Sequence, residues 1–422
     1  MGIMKASPLP LWAFLLPDKG TVNLVGAPEA SLDPLLESRV HRQETISEIS
    51  ADASGGYICF HPSPRDLARL QEKNWQWQST HGLIRAPRRP LRLVALDQPA
   101  QIRQGVFLSP PHKTLGRCHR WFEAARLTWT SRMRRPAMAT ALPRPPALIQ
   151  ALAPLTARPL TSLNLLRPHA GDKLVLQVLT PVGDAEFYLK IPLTSAAQTR
   201  LNTEVRMLQH PMLKQLVPKA WQSGEILGRP YVAQAALPGS QPPAGPGKSV
   251  YKFLSGLHGG SSVPAHQHPI WQRARQWVNT QPDLAPAWKS LVIPMAGQTL
   301  PTTAMHGDFC SWNLRIQHGK IRAFDWENAE LQGLPLMDLF HYLLQFGFLV
   351  NRWSSGRTLA QLQRLENSAD FQAHRQGMGI NASQVRPLLG LYLIQALASR
   401  ELPRNHHLNI RRKKLLDRIT AP

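Results

Sequence analysis

The residues with the clearest chemical potential form one short stretch in the last third of the chain. A His-Gly-Asp tripeptide at positions 306–308 is followed by Asn313 and, further on, by Asp325. Between these two residues the sequence alternates as a β-hairpin does, with a glycine-containing turn at positions 317–320. The hairpin predicts that Asn313 and Asp325 face the same space, where amide and carboxylate oxygens suit a hard cation such as Mg²⁺ that also binds phosphates. Asp308 is then available to meet a substrate hydroxyl group.

These residues resemble the catalytic and metal loops of the aminoglycoside phosphotransferase and choline kinase superfamily, whose fold is protein-kinase-like. The family's HGDxxxxN and D-[FW]-[DE] motifs, and the Asp that opens the next helix, are matched by His306, Gly307, Asp308, Asn313, Asp325, Trp326, Glu327 and Asp338. The resemblance implies that Asp308 is the catalytic residue and that Asn313 and Asp325 bind Mg²⁺. It implies structural support of the loop by His306 and Asp338.

A second set of candidate residues lies in a β-rich region over residues 162–191. Apolar alternation and glycine-containing turns predict three antiparallel strands, with Lys190 near the end of the third. A predicted helix over residues 196–210 follows and carries Glu204. Taken alone, Lys190 is also consistent with a charge on a strand edge that discourages aggregation. In the family, a third-strand Lys holds the ATP phosphates and a helix Glu orients it, so the resemblance implies these roles for Lys190 and Glu204.

The segment that follows the next strand-like stretch resembles the hinge between the two lobes of the family fold. By resemblance, the candidates for binding the adenine of ATP are Gln234, Ala235, Ala236 and Leu237. The chain departs from the protein-kinase pattern in one place. Its first hairpin, at positions 169–172, lacks the GxGxxG loop that covers the phosphates in protein kinases.

Composition limits the classes of protein to which this chain can belong. A length of 422 residues with a hydrophobic share of 43% predicts two or three globular domains and excludes a disordered chain. Lys and Arg number 49 against 26 Asp and Glu, a net charge of +23. This balance predicts either a solvated basic surface or an anionic partner.

Three scattered Cys match neither a disulfide framework nor a zinc motif. No apolar run is long enough to span a membrane, so a cytoplasmic location is expected, with membrane association as an open alternative.

The predicted fold class is α+β, with a bilobal protein-kinase-like fold preceded by an additional N-terminal α/β region. Residues 1–135 form a basic accessory region of unknown function, and residues 136–160 form a proline-rich linker. Residues 161–239 form the small antiparallel β lobe and the hinge. Residues 240–422 form the helical lobe, which carries the catalytic and metal loops.

Residues 85–135 are rich in basic and aromatic side chains, with twelve Lys or Arg against two acids. A helix predicted over residues 115–133 carries Trp121, Phe122 and Trp129. This pattern is consistent with a solvated cationic face and with peripheral contact to a membrane surface. Nucleic acid is the disfavoured partner because no recognition motif is present.

Helical spacing also predicts elements elsewhere in the chain. Residues 32–49 have charged and apolar residues at helical spacing, and residues 336–350 and 385–400 are strongly apolar. A basic helix at the end of the chain, which includes residues 411–414, is predicted to be a solvated face.

The sequence therefore predicts an ATP- and Mg²⁺-dependent phosphotransferase that moves the γ-phosphoryl group to a hydroxyl of a small molecule or glycan. Whether Glu327 contacts the metal stays open. The strong positive charge disfavours a polycationic aminoglycoside acceptor. The alternative is a non-catalytic kinase-like binding protein in a polysaccharide or envelope pathway. A protein Ser/Thr kinase is disfavoured, because the sequence has HGD where those enzymes have HRD.

Overall fold

The computed structural model describes residues 11–16, 21–26, 37–43, 46, 56–72, 75–84, 91–106, 114–133, 136–167, 172–219, 221–226, 228–398 and 406–421. The chain forms two units, of which the first comprises Met1–Leu201 with Ala220–Ala236. The second comprises Asn202–Lys219 with Leu237–Pro422.

The first unit contains one eleven-stranded sheet. Its strands are β1 (Val22–Val25), β2 (Val40–Gln43), β3 (Gly56–Phe60), β4 (Trp77–Ile84), β5 (Leu91–Ala95), β6 (Met138–Leu142), β7 (Ser162–Arg167), β8 (Lys173–Leu179), β9 (Ala185–Pro192), β10 (Trp221–Ile226) and β11 (Arg229–Ala235). Their spatial order is β10-β11-β9-β8-β7-β5-β4-β6-β3-β1-β2. Strand β1 pairs in parallel with β2 and β3, and the other neighbours are antiparallel.

The three strands predicted over residues 162–191 are confirmed as β7, β8 and β9. Along β9, Phe187 and Leu189 are buried in the core, whereas Tyr188 and Lys190 are half-buried on the opposite face. This alternation is what the two-residue period of a strand requires when one face meets the core. Because Lys190 sits between two paired strands, β8 and β11, it does not lie on a sheet edge.

The sheet passes without interruption from the N-terminal region into the predicted small β lobe. Strand β5 pairs with β7, with Leu93 opposite Leu165. The predicted linker over residues 136–160 differs from the structure, because it contains β6, which lies between β3 and β4. All five residues of β6 are buried. Pro136 lies two residues before β6 and Pro143 directly follows it, positions where the missing N–H is tolerated.

The helices of the first unit include the one predicted over residues 115–133, which is α3 in the structure. They are α1 (Pro64–Gln71), α2 (Pro99–Val106), α3 (Thr114–Arg132) and α4 (Ala147–Leu152), and the chain then enters α5 (Ser195–Gln209). The helix predicted over residues 32–49 is wrong at Val40–Gln43, which forms β2. Pairing with β1 places Val40 opposite Val22, and this tertiary contact overrides the local helical spacing. Of the other residues in that prediction, 32–36, 44–45 and 47–49 lie outside the described residues.

The second unit is mainly helical. After the second half of α5, its helices are α6 (Lys248–Ser255), α7 (Pro269–Thr280), α8 (Ala285–Ala287), α9 (Met337–Leu349), α10 (Ser355–Glu366), α11 (Ala369–Gly377), α12 (Ala382–Ala398) and α13 (His406–Thr420). A three-stranded sheet has the order β12 (His258–Pro264), β13 (Thr299–Met305), β16 (Glu330–Gly333). Strands β14 (Leu314–Gln317) and β15 (Lys320–Ala323) form the predicted hairpin.

The apolar helices predicted over residues 336–350 and 385–400 are confirmed as α9 and α12, and both are largely buried. The terminal helix α13 differs from the predicted solvated face. Arg412 on this helix is only 8% exposed, and the half-buried Arg411 donates to the carbonyls of Phe348 and Trp353. Long basic side chains can bury their stems and heads when carbonyl acceptors are within reach. Among the described helices, none is long and apolar enough to cross a membrane.

Candidate active site

Strand β13 ends at a loop that is fixed by a carboxylate from the start of α9. Both oxygens of Asp338 accept backbone N–H bonds, from His306 at 2.6 Å and from Gly307 at 3.0 Å. Asp338 lies in the first turn of α9, where the helix dipole favours negative charge. Burial nevertheless raises the pKa of this carboxyl, against the hydrogen bonds that favour its charged form. Asp338 therefore links the loop to the helix.

Gly307 adopts a conformation that requires glycine. Its φ is +80°, and a Cβ atom there would overlap the carbonyl oxygen of Asn328. A side chain would also be strained at this φ, which L-residues rarely adopt. The tripeptide therefore needs its glycine for a close backbone approach.

His306 is fully buried and uses both ring nitrogens. Its Nε2 lies 3.0 Å from the carbonyl oxygen of Phe324, and its Nδ1 lies 3.3 Å from the backbone N–H of Asp308. The neutral ring with its proton on Nε2 satisfies both contacts. The ring also packs 4.6 Å from the ring of Trp326, measured between centroids. His306 thus ties the loop to the end of the β14–β15 hairpin.

Asp308 is held by three side chains. Its Oδ1 accepts from His341 Nε2 at 3.0 Å and from the Cys310 thiol at 3.4 Å. Asn313 donates from Nδ2 to Oδ2 and to the backbone oxygen of Asp308, both at 3.0 Å. Burial alone would raise the pKa of Asp308, but the hydrogen bond and charge of His341 lower it below the ordinary value. The carboxylate is therefore ionised and fixed in orientation, and its side chain is one-third exposed.

His341 was not among the residues predicted for the site. It lies on α9, one turn after Asp338, so the two side chains fall on the same helix face. The hydroxyl of Tyr392, on α12, lies 3.3 Å from His341 Nδ1. Hydrogen-bond contacts therefore run in a row from Tyr392 through His341 to Asp308. The i, i+3 spacing to Asp338 was the sequence signal that could have identified His341, whereas Tyr392 is distant in sequence and only the fold brings it close.

A second group of acids lies after the hairpin. Asp325 has a left-handed backbone, with φ of +70°, which for a residue other than glycine often marks a functional position. Oxygens of Glu204, Asp325 and Glu327 all lie within 4.8 Å of one another, and Glu204 accepts from the backbone N–H of Trp326 at 3.3 Å. Three clustered carboxylates are a donor set that suits Mg²⁺. The structure therefore brings Glu204, predicted to orient a lysine, together with the predicted metal ligand Asp325.

Four predicted nucleotide-binding residues lie in the first unit. Lys190 is on β9, and Gln234 and Ala235 end β11, where Gln234 is buried. Ala236 follows and donates its backbone N–H to Glu186 O at 2.8 Å. Leu237 is the first residue of this stretch that belongs to the second unit. The predicted phosphate loop lies outside the described residues except for Asp172.

A cavity of about 470 Å³ opens beside Asp308 within the second unit. On one side it is lined by Gly307 and Asp308 of the loop and by Glu327 and Glu330. On the other it is lined by side chains of α9, α12 and α13, which include His341, Gln345, Tyr392, Gln395, Asn409 and Arg412. This volume is in the range of small-molecule sites. The arrangement can bring a small hydroxyl compound against the Asp308 carboxylate.

Solved structures similar to this chain include three phosphotransferases. A thermostable mutant of aminoglycoside phosphotransferase APH(4)-Ia is 15% identical and has a TM-score of 0.45, covering 65% of this chain and 97% of its own. Macrolide 2'-phosphotransferase MphH from Brachybacterium faecium is 17% identical with a TM-score of 0.41, covering 65% and 98%. Spectinomycin phosphotransferase APH(9)-Ia is 14% identical with a TM-score of 0.38, covering 65% and 94%. Comparison with curated protein sequences finds no match.

A family model decides the assignment. The model described as the phosphotransferase enzyme family, APH, matches residues 166–380, just over half of the chain. The matched region contains every residue predicted for the site. It confirms the predicted resemblance and, with the observed strands and helices, the α+β protein-kinase-like fold that follows an additional N-terminal region. This chain therefore belongs to the phosphotransferase enzyme family.

Proposed function

We propose that this protein transfers the γ-phosphoryl group of ATP to a hydroxyl group of a small molecule or glycan, with Mg²⁺ as the metal. The observation that carries the proposal is the state of Asp308. This carboxylate accepts from His341, Cys310 and Asn313, and it lines a cavity of ligand size. A group of that kind is suited to accept or orient the proton of a hydroxyl nucleophile.

The chemical step needs few protein groups. The acceptor oxygen forms a bond to the γ-phosphorus as the bond from phosphorus to the bridging oxygen breaks, and ADP leaves with that electron pair. The hydroxyl proton passes to Asp308 and then to solvent. His341 keeps Asp308 ionised, and Asn313 fixes the carboxylate through Oδ2. Positioning and electrostatics supply most of the rate in such a site.

Mg²⁺ would be held by Asn313 and Asp325, and its charge would offset that of the phosphates. The clustering of Glu204 and Glu327 with Asp325 supports this site and favours Glu327 as a further ligand. Lys190 remains the predicted ligand of the ATP phosphates, with Glu204 as its predicted orienting residue. The hinge residues Gln234, Ala235, Ala236 and Leu237 remain the predicted adenine contacts, and a cytoplasmic location remains a prediction.

ATP turnover tests the proposal directly. Purified protein with Mg²⁺ and labelled ATP, screened against sugars, amino alcohols and glycolipids, is expected to label at least one hydroxyl compound. Asp308→Asn should abolish that labelling while ATP still binds. The alternative, a non-catalytic kinase-like binding protein, predicts ATP binding with no transfer to any acceptor and an equal result for Asp308→Asn.

We also propose that α3 contacts a membrane surface. Trp121, Phe122 and Trp129, with Met133 just after the helix, are each more than half exposed. Phe122, Trp129 and Met133 recur at helical spacing on one face, and the exposed Arg126 shares it. The opposite face of α3 is buried through Ala124 and Leu127. Exposed aromatic residues beside basic ones suit the headgroup region of an anionic bilayer.

Vesicle sedimentation tests this contact. The protein is expected to sediment with vesicles that contain anionic lipid and to remain in solution with zwitterionic ones. Replacing both Phe122 and Trp129 by Ser should release it, whereas Val182→Ser, at an equally exposed turn of the same unit, should not. Equal sedimentation of both variants would favour an ordinary solvated cationic face.

A further inference from the structure

The cavity wall formed by α9, α12 and α13, here called the far wall, carries a positive charge that none of the described acids neutralises. Arg412 is 8% exposed and lines the cavity from α13. Its Nη1 donates to the Ala396 carbonyl at 3.2 Å and to Asn409 Oδ1 at 3.1 Å, and Nη2 lies 3.5 Å from Gln345 Oε1. All three acceptors are neutral. Among the residues that the structure describes, no carboxylate lies within ion-pair distance of Arg412.

The acids that line the same cavity are already engaged. Asp338 gives both oxygens to the backbone of the catalytic loop. Both oxygens of Glu330 accept from Arg273 Nη2, at 2.7 and 2.6 Å. Glu327 belongs to the carboxylate group proposed to hold the metal. Asp308 is the group proposed to meet the hydroxyl.

A buried guanidinium without an anion is costly, since desolvation of its charge is offset only by hydrogen bonds to neutral groups. A ligand anion supplies the missing charge, and the planar guanidinium matches a carboxylate or a phosphate in two-point geometry. The neighbouring amides of Gln345, Gln395 and Asn409 are groups that hydrogen-bond sugar hydroxyls. The cavity volume of about 470 Å³ leaves ample room for a monosaccharide.

We infer that the acceptor is an anionic, polyhydroxylated compound of about monosaccharide size, whose carboxylate or phosphate group is bound by Arg412 while one hydroxyl lies at Asp308. This inference rests on the proposed function and names the substrate class of the same site. Such a site discriminates against polycationic acceptors, because a positive group brought to Arg412 meets an unscreened like charge.

The test uses four hexose probes that differ in charge. D-glucuronate and glucose 6-phosphate are anionic through a carboxylate and a phosphate, D-glucose is neutral, and D-glucosamine is cationic. Related uronic acids and sugar phosphates are tested as further anionic probes. The full chain is assayed for ADP release with Mg²⁺ and ATP, and binding of each probe is measured by saturation-transfer NMR. We expect an anionic probe to be preferred over glucose by roughly 10- to 100-fold in kcat/KM, the range of a hydrogen-bonded charge.

Two variants test whether Arg412 causes this preference. Arg412→Gln should reduce the anionic-to-neutral ratio of kcat/KM to near one, and Arg412→Lys should keep part of it because it retains the charge without the planar fork. Arg411→Gln is the matched control, since Arg411 does not line the cavity and bonds to two main-chain carbonyls. Thermal unfolding of each variant separates lost selectivity from lost folding.

The outcomes separate this inference from the proposed function. Transfer to neutral or cationic probes with no anionic preference overturns the substrate class and leaves phosphotransfer standing. Anion binding that depends on Arg412, without any ADP release, overturns phosphotransfer and leaves the anion site standing. Failure of every anionic probe to bind overturns the inference, as does an anionic preference that survives in Arg412→Gln.

Discussion

The two walls of the cavity in the second unit differ in how their charged groups are satisfied. On the loop wall, the oxygens of Asp338 and Asp308 accept bonds from named donors, mainly backbone N–H groups, His341 and Asn313. On the far wall, every acceptor that Arg412 has among the described residues is a neutral oxygen. Carboxylates that accept such bonds fix the geometry of their neighbours, whereas a buried charge with no described counterion can select a ligand. Substitutions on the loop wall should therefore affect rate and folding, and substitutions on the far wall should affect the choice of acceptor.

The largest effect is expected from Asp308→Asn. The amide cannot accept the hydroxyl proton, so kcat should fall by roughly 100- to 10,000-fold, the usual contribution of a positioned general base. Single-turnover transfer measured by rapid quench checks this value. Asp417→Asn, at an exposed acid of α13, is the control and should leave kcat unchanged. A loss of less than about threefold in Asp308→Asn, within the variation between preparations, would remove Asp308 from the mechanism.

The second effect concerns folding of the loop wall. Gly307→Ala should lower the free energy of unfolding by roughly 2–4 kcal/mol, because it adds strain at a positive φ to an overlap with the Asn328 carbonyl. Gly319→Ala is matched to it, with φ of +73° and open space around the added Cβ, and should cost only about 1 kcal/mol. Urea unfolding measures both. Equal losses would show that the close approach at Gly307 has no special cost.

A smaller effect is expected from the row behind Asp308. His341→Gln should lower kcat by roughly tenfold, since a hydrogen bond to a charged group is lost or weakened. His341 lowers the pKa of Asp308, so its loss raises that pKa and the acidic limb of the rate–pH profile moves to higher pH. Tyr392→Phe removes only the outer hydroxyl and should move the limb less. A pH profile unchanged in His341→Gln would show that His341 does not lower the pKa of Asp308.

The smallest effect is expected at the ion pair between Arg273 and Glu330. Both partners of the Arg273–Glu330 pair are about one-third exposed, so Arg273→Gln should cost less than about 1 kcal/mol in urea unfolding. The variant leaves Glu330 without its cation, and the preference for an anionic acceptor should then weaken slightly. A stronger preference for glucuronate would contradict the view that Arg273 neutralises Glu330 beside the cavity.

The polar residues of the loop could be predicted from sequence because they are close together along the chain. The tripeptide at 306–308, Asn313 and the hairpin are local, so spacing and turn chemistry predict their arrangement. The strands around Lys190 were predictable for the same reason, since a half-buried strand has a period of two. Asp338 is 30 residues from Asp308, but it opens the next helix and could be matched by order alone.

What the sequence by itself determined is the family, the order of the polar residues and the elements that carry them. Only the tertiary structure decided three further features. It paired β5 with β7 and so joined the predicted N-terminal region and the predicted small β lobe in one sheet. It turned a predicted linker into the buried strand β6. It also buried Arg412, which local spacing placed on a solvated helix face. Each of these depends on contacts between residues far apart in the chain, and neither helical spacing nor strand alternation specifies which distant surface an element will meet.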